Sequence, residues 1–138
     1  ITQLKIVIAR NLRHYAGVPY EKLKHPISIM LRYIEQAPEL EVLGDLFISL
    51  AIIMKKNGID FHKVFLTRRI KTVLKKVKMM AKRDPLFRSK ETLLVNKAVI
   101  ACTILKTNEA ENLLGWMLNF GYRNYTNNKI RAALKKFR

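Results

Sequence analysis

A chain of 138 residues with 49% hydrophobic content is long enough to bury a core without metals or disulfides, and too apolar for intrinsic disorder. Its 5 Gly and 4 Pro are few for the turns of an all-β protein, and no apolar run is long enough to span a bilayer. Lys and Arg number 27 against 10 Asp and Glu, a net charge of +17 that repels itself unless an anionic partner relieves it: nucleic acid first, then an anionic membrane surface or an acidic protein.

Apolar residues recur at helical spacing almost throughout, with no sustained strand alternation. Leu4, Ile8, Leu12 and Tyr15 predict a first helix ending before Gly17-Val18-Pro19. Pro26 fits the first turn of a second, carrying Ile27, Met30, Leu31 and Ile34. Ala37-Pro38 breaks it and starts a third, because the residue before a proline is pushed out of the α region. Glu39 and Glu41 suit the positive end of that helix, Lys55 and Lys56 its negative end, and Gly58 offers a left-handed terminator. The run "LFISLAIIM" over 46–54 inside it reads as a core helix.

Asp60 caps a fourth helix whose apolar face is Leu66, Ile70, Val73, Leu74, Val77 and Met80, ending near Asp84-Pro85. Ser89 caps a fifth, with Glu91 in its first turn and Leu94, Ala98, Ile100, Ala101, Ile104 and Leu105 along it. Asn108 and Glu111 have the spacing of a capping box for a sixth helix, closed by Gly121. A short basic helix follows Thr126, with Ile130, Ala133, Leu134 and Phe137 on one side. The expectation is a single all-α domain over 1–138, six or seven helices in an antiparallel bundle or a short stack of helical hairpins. The chain begins with Ile1 rather than Met, so it reads as a fragment of a longer protein.

The segment "TRRIKTVLKKVKMMAKR" over 67–83 concentrates the charge. Arg68, Lys71, Lys75, Lys78 and Lys82 climb one helical row, with Arg69, Lys76 and Arg83 beside them, and no acid intervenes between Asp60 and Asp84. A solvated helix usually interleaves Glu with Lys, because like charges three or four residues apart repel. The run therefore predicts one continuous stripe of phosphate ligands. It contains no aromatic residue between Phe65 and Phe87, so base stacking has to come from elsewhere. Arg123, Lys129, Arg131, Lys135 and Lys136 form a second basic patch at the carboxyl end, with Tyr122 and Tyr125 as packing residues or as part of that surface. Lys5, Arg10, Arg13 and His14 add charge from the first helix, a spread that suits tracking of a backbone better than one groove-reading helix.

Catalytic patterns are missing. His14, His25 and His62 lie far apart, the glycines are isolated, and the close acid pairs Glu39/Glu41 and Glu109/Glu111 sit where helix first turns use them. No cofactor or metal is expected. Cys102, the lone cysteine, lies in the apolar stretch "AVIACTIL" and reads as a buried structural thiol of a reducing compartment, inside the cell, with the nucleus or a mitochondrion ahead of secretion.

Residues 94–121, "LVNKAVIACTILKTNEAENLLGWMLNFG", resemble one pentatricopeptide repeat through Asn96, Ile100, Glu109, Ala110, Leu113, Leu114, Met117 and Gly121. A second stretch, "DLFISLAIIMKKNGID", repeats the Met-to-Gly spacing at Met54 and Gly58. Tetratricopeptide and HEAT-like arrays share much of this pattern. The resemblance implies stacked helical hairpins and a family habit of binding single-stranded RNA or protein partners. The expected function is a non-enzymatic basic helical module that binds nucleic acid, RNA ahead of DNA, through phosphates. The alternative is a scaffold for protein–protein interaction in a larger complex, for which an exposed Trp116 would be the natural anchor. A membrane-surface role ranks third, since the basic helix lacks the exposed Trp or Phe that insertion would want.

Overall fold

The computed structural model describes residues 2–36, 39–58 and 60–138, and there the chain is all-α without a strand. Its helices are α1 (Thr2–Asn11), α2 (Tyr20–Gln36), α3 (Leu40–Asn57), α4 (Asp60–Arg83), α5 (Arg88–Leu105), α6 (Asn108–Leu118) and α7 (Asn124–Lys135), with 3₁₀ stretches at Leu12–Gly17 and Pro85–Phe87. Among the described residues, each helix packs only on helices one or two places away in the chain. Two rows result: α1, α3, α5 and α7 side by side, with α2, α4 and α6 behind them. This is the packing order of stacked helical hairpins.

Position in the rows explains the sequence of α3. It lies between α1 and α5 with α2 and α4 at its back, and every residue from Val42 to Ala51 is buried. A helix covered on all sides has to be apolar all round, which is why "LFISLAIIM" shows no polar face. Phe47, Leu43, Leu50 and Met54 pack with Leu66, Ile70 and Leu74 of α4 and Leu94, Ala98 and Cys102 of α5. Burial pushes the Cys102 thiol up to about 12, so it stays protonated and inert. Gly58 ends α3 at φ 64°, donating its N–H to the carbonyls of Lys55 and Met54.

This core also holds a charge. Asp45 is buried on α3, and its carboxylate accepts from Lys97 Nζ of α5 at 2.8 Å and Arg10 Nε of α1 at 3.1 Å. Arg13 Nη2 stands 4.0 Å away. The neighbouring Ser49 hydroxyl donates to the Ala9 carbonyl, so α1 and α3 also share a neutral bond. Gly44 is what lets Lys97 through: a Cβ there would lie 2.5 Å from Lys97 Cδ. Gly44→Ala is expected to push the lysine stem off its ion pair and cost about 1–2 kcal/mol in urea unfolding, with the m-value unchanged.

Several local expectations are corrected. The inward face of α1 is Ile6 and Ala9, whereas Leu4 and Ile8 are 62% and 52% exposed. Its helix gives way to the 3₁₀ stretch at Leu12, and Tyr15 is exposed. Pro26 lies inside α2, not at its start: the helix begins at Tyr20, and burial of Leu23, Ile27 and Ile34 on one side offsets the lost hydrogen bond. Asp60 is the first residue of α4, ion-paired to Lys63 at 3.3 Å, and Met80 is exposed beyond the buried face of that helix. Ser89 lies within the first turn of α5. The capping side chain is Asp84, which accepts from Leu86 N and opens the 3₁₀ turn that runs straight into α5. Thr107, one residue earlier than expected, caps α6 by accepting from Ala110 N at 3.1 Å. Thr126 is buried inside α7. The predicted break at Ala37-Pro38 lies outside the described residues.

Candidate nucleic-acid interface

Because α4 is the middle helix of its row, α2 and α6 bound its outer surface on both sides, and its cations divide accordingly. Arg68, Lys75, Lys76, Lys82 and Arg83 are exposed. Arg69 leans toward α2 and pairs with Glu35 at 3.2 Å. On the other flank, Lys71 and Lys75 place their ammonium groups 5.0 and 6.0 Å from the ring centroid of Trp116 on α6, within cation–π range. Lys78 turns inward. Its side chain is 17% exposed, with Nζ 3.9 Å from Glu91 Oε1 and 4.8 Å from the Tyr122 ring centroid, and it donates to the Gly121 carbonyl at 3.3 Å. The predicted stripe is therefore an open face with lysines on one border lying over aromatic rings.

Those rings supply what the helix itself lacks. Trp116 is half-buried, neither core nor free anchor, and packs on Phe120 at 4.3 Å between centroids; Phe120 meets Tyr122 edge-on at 5.7 Å. Trp116 lies on the side of α6 that Lys71 and Lys75 of α4 cover, and Phe120 follows in the turn just after the helix.

At the carboxyl end of α4 the face opens into a cleft of about 420 Å³, walled by Lys78 and Lys82 of α4, Arg88 and Glu91 of α5, Phe120–Arg123 between α6 and α7, and Thr126. Four cations thus surround one carboxyl. Glu91 is 7% exposed, and burial pushes its pKa up against the opposing pull of Lys78 and Arg88. Its Oε2 and the Tyr122 hydroxyl are buried without a hydrogen-bond partner. Burial, and then the charge of Glu91, also raise the Tyr122 phenol. Gly121 turns the chain into the cleft at φ 84°, a conformation suited to glycine. From there α7 starts without a side-chain cap and without an acid in its first turn, leaving the positive end of its dipole open.

The other predicted basic residues scatter. Arg123 joins the cleft, while Lys129, Arg131, Lys135 and Lys136 stand on the exposed side of α7, which does not pack on α4. Lys129 lies 4.7 Å over the exposed ring of Tyr125, and Arg131 donates to Asn128 at 3.1 Å. In the first helix Lys5 pairs with Glu39 at 2.6 Å and Arg10 with Asp45, so much of its charge is balanced within the fold. Arg88, Glu91, Trp116 and Phe120 line the candidate site and are not among the nucleic-acid contacts expected from the sequence. No group of His, Cys, Asp and Glu among the described residues could hold a metal ion. His62 is buried beside Tyr20, and burial, with Lys24, lowers its pKa. No described helix is long and apolar enough to cross a membrane. The chain matches no protein-family model, no curated protein and no solved structure.

Proposed function

We propose that this chain is a non-enzymatic helical module that binds single-stranded RNA, chiefly through phosphate contacts along the outer face of α4. The observation that carries the reading is that exposed, acid-free face, where Arg68, Lys75, Lys76, Lys82 and Arg83 stand in solvent beside the half-buried Trp116. Duplex DNA is the poorer fit. A major groove about 12 Å wide admits one helix, and α4 is flanked by two others. A cationic face bordered by aromatic rings suits a flexible strand whose bases can turn toward those rings. The lone cysteine, Cys102, is buried and unpaired as suits a reducing compartment, and the reading carries with it an intracellular role, in the nucleus or a mitochondrion.

The test is a fluorescence-anisotropy titration of a labelled single-stranded RNA and a duplex DNA of equal length at several salt concentrations. The expected result is tighter binding of the RNA, with the logarithm of its affinity falling linearly against the logarithm of salt, by about 0.7 for each phosphate neutralised. No binding near physiological salt would overturn the reading. A protein-scaffold role would then take its place, because the other row exposes Leu4, Val7 and Ile8 on α1 and Leu93 and Ile100 on α5.

A further inference from the structure

The cleft at the end of α4 is not built for charge alone. Lys82, Arg88 and Arg123 bring cations from three different elements to its walls, and the uncapped start of α7 adds the positive end of a helix dipole. A strand tracking the exposed row of α4 would reach this point at Lys82 and Arg83. A simple phosphate would be drawn to those walls but repelled by the carboxylate among them. Two lining residues ask for something else: Glu91 Oε2 and the Tyr122 hydroxyl are both buried and unpartnered. A carboxylate only accepts hydrogen bonds, so its complement is a ligand edge made of N–H donors.

We infer that the cleft receives one nucleotide of the bound RNA, its phosphate held by Lys82, Arg88 and Arg123 and its base read by Glu91, with guanine preferred. Guanine presents two adjacent donors, N1–H and N2–H, to an acceptor. Adenine and cytosine offer an amino group beside a ring acceptor, and uracil offers one N–H between two carbonyls that a carboxylate repels. The cleft volume, about 420 Å³, lies in the range of small-molecule sites, and Phe120 and Tyr122 provide aromatic wall for a base.

Stability points the same way. Glu91 has a folded-state pKa above its unfolded value, so as pH rises through the carboxylate range the unfolded chain loses its proton first and the fold is weakened. The groups facing Glu91 are Lys78 and Lys82 from α4, Arg88 on its own helix, and Tyr122 and Arg123 from the connection to α7. A carboxyl that costs the fold stability at neutral pH, despite these cations, fits a role in recognition. Glu91→Gln should therefore fold at least as well as the parent chain and show a flatter dependence of stability on pH.

The inference rests on the RNA-binding reading, and its test keeps the two apart. The probes are a labelled oligouridine and the same oligouridine with one central guanosine, titrated against the parent chain, Glu91→Gln and Tyr122→Phe. The guanosine is expected to tighten binding to the parent roughly tenfold. Glu91→Gln should lose that gain, binding the two probes alike, and Tyr122→Phe should lose part of it. Oligouridine binding with no gain from guanosine in the parent would overturn the inference and leave the RNA reading standing. A gain that survives in Glu91→Gln would also overturn it. Binding of neither probe would overturn both.

Discussion

Replacing Arg68, Lys75 and Lys76 together by Glu is expected to lower the affinity for single-stranded RNA by about 100-fold at physiological salt, with the helical circular dichroism unchanged. Each phosphate contact on a single strand contributes about 0.7 to the salt slope, so losing three lowers the slope by about 2. The reversed charges then repel the strand as well. All three side chains are exposed, so the fold has little to lose. Like charges at helical neighbour spacing cost about 0.2–0.5 kcal/mol per pair, and introducing acids among the remaining cations relieves some of that. Lys78 is deliberately left alone. A glutamate there would set a second carboxylate beside Glu91 and remove the bond to Gly121, so a loss of binding could not be separated from damage to the cleft. Anisotropy titrations of the triple variant at several salt concentrations check both numbers, and an unchanged affinity would remove α4 from the interface.

The second large effect concerns the buried charge on α3. Asp45→Ala should cost about 3 kcal/mol in urea unfolding, because removing one member of a buried ion pair leaves the other without its charge partner. The cations gather from α1, the following 3₁₀ stretch and α5, so Asp45 ties together three neighbours of α3. They are not equally stranded by its loss. Arg10 is 58% exposed and can turn to water, whereas Lys97 is 27% exposed with its stem threaded over Gly44. The cost therefore belongs at the lower end of the usual range for broken buried pairs, and most of it should trace to Lys97. In the double variant Asp45→Ala/Lys97→Met the loss should shrink, since the uncompensated ammonium is gone. A single-variant cost under about 1 kcal/mol would mean that the pair behaves as an exposed one.

Much of this fold is legible in the sequence where a single physical signal dominates. The run inside α3 has no polar face, so it can only be central, and Gly58 after Lys55-Lys56 marks its end. On α4 the buried Leu66, Ile70, Val73, Leu74 and Val77 follow the helical period. The period fails on α1, because "LKIVIA" is apolar on more than one side and nothing local decides whether Ile6 or Ile8 points inward. Pro26 misleads for a similar reason: a first-turn proline is the cheapest local solution, but the long apolar face running back to Leu23 outweighs it. The site is only half legible. Its cations announce themselves as an acid-free run, while the division of that run depends on which helices flank α4. Glu91 has an ordinary explanation as a first-turn acid, and only the juxtaposition of α5 with Lys78 and with the connection after α6 gives it another. Residues brought together from such separate stretches leave no spacing to read.

The rule that each helix packs only on those one or two places away has a kinetic side. Contacts that are short in sequence need little loop closure, so a chain of this order can fold outward from the α3–α5 pair without waiting for distant ends to meet. Among the described residues α7 packs on α5 and α6, and its Thr126 forms part of the wall of the cleft. A nucleotide seated between Arg88 and Arg123 would therefore act as a clasp, joining α5 to the connection that leads into α7.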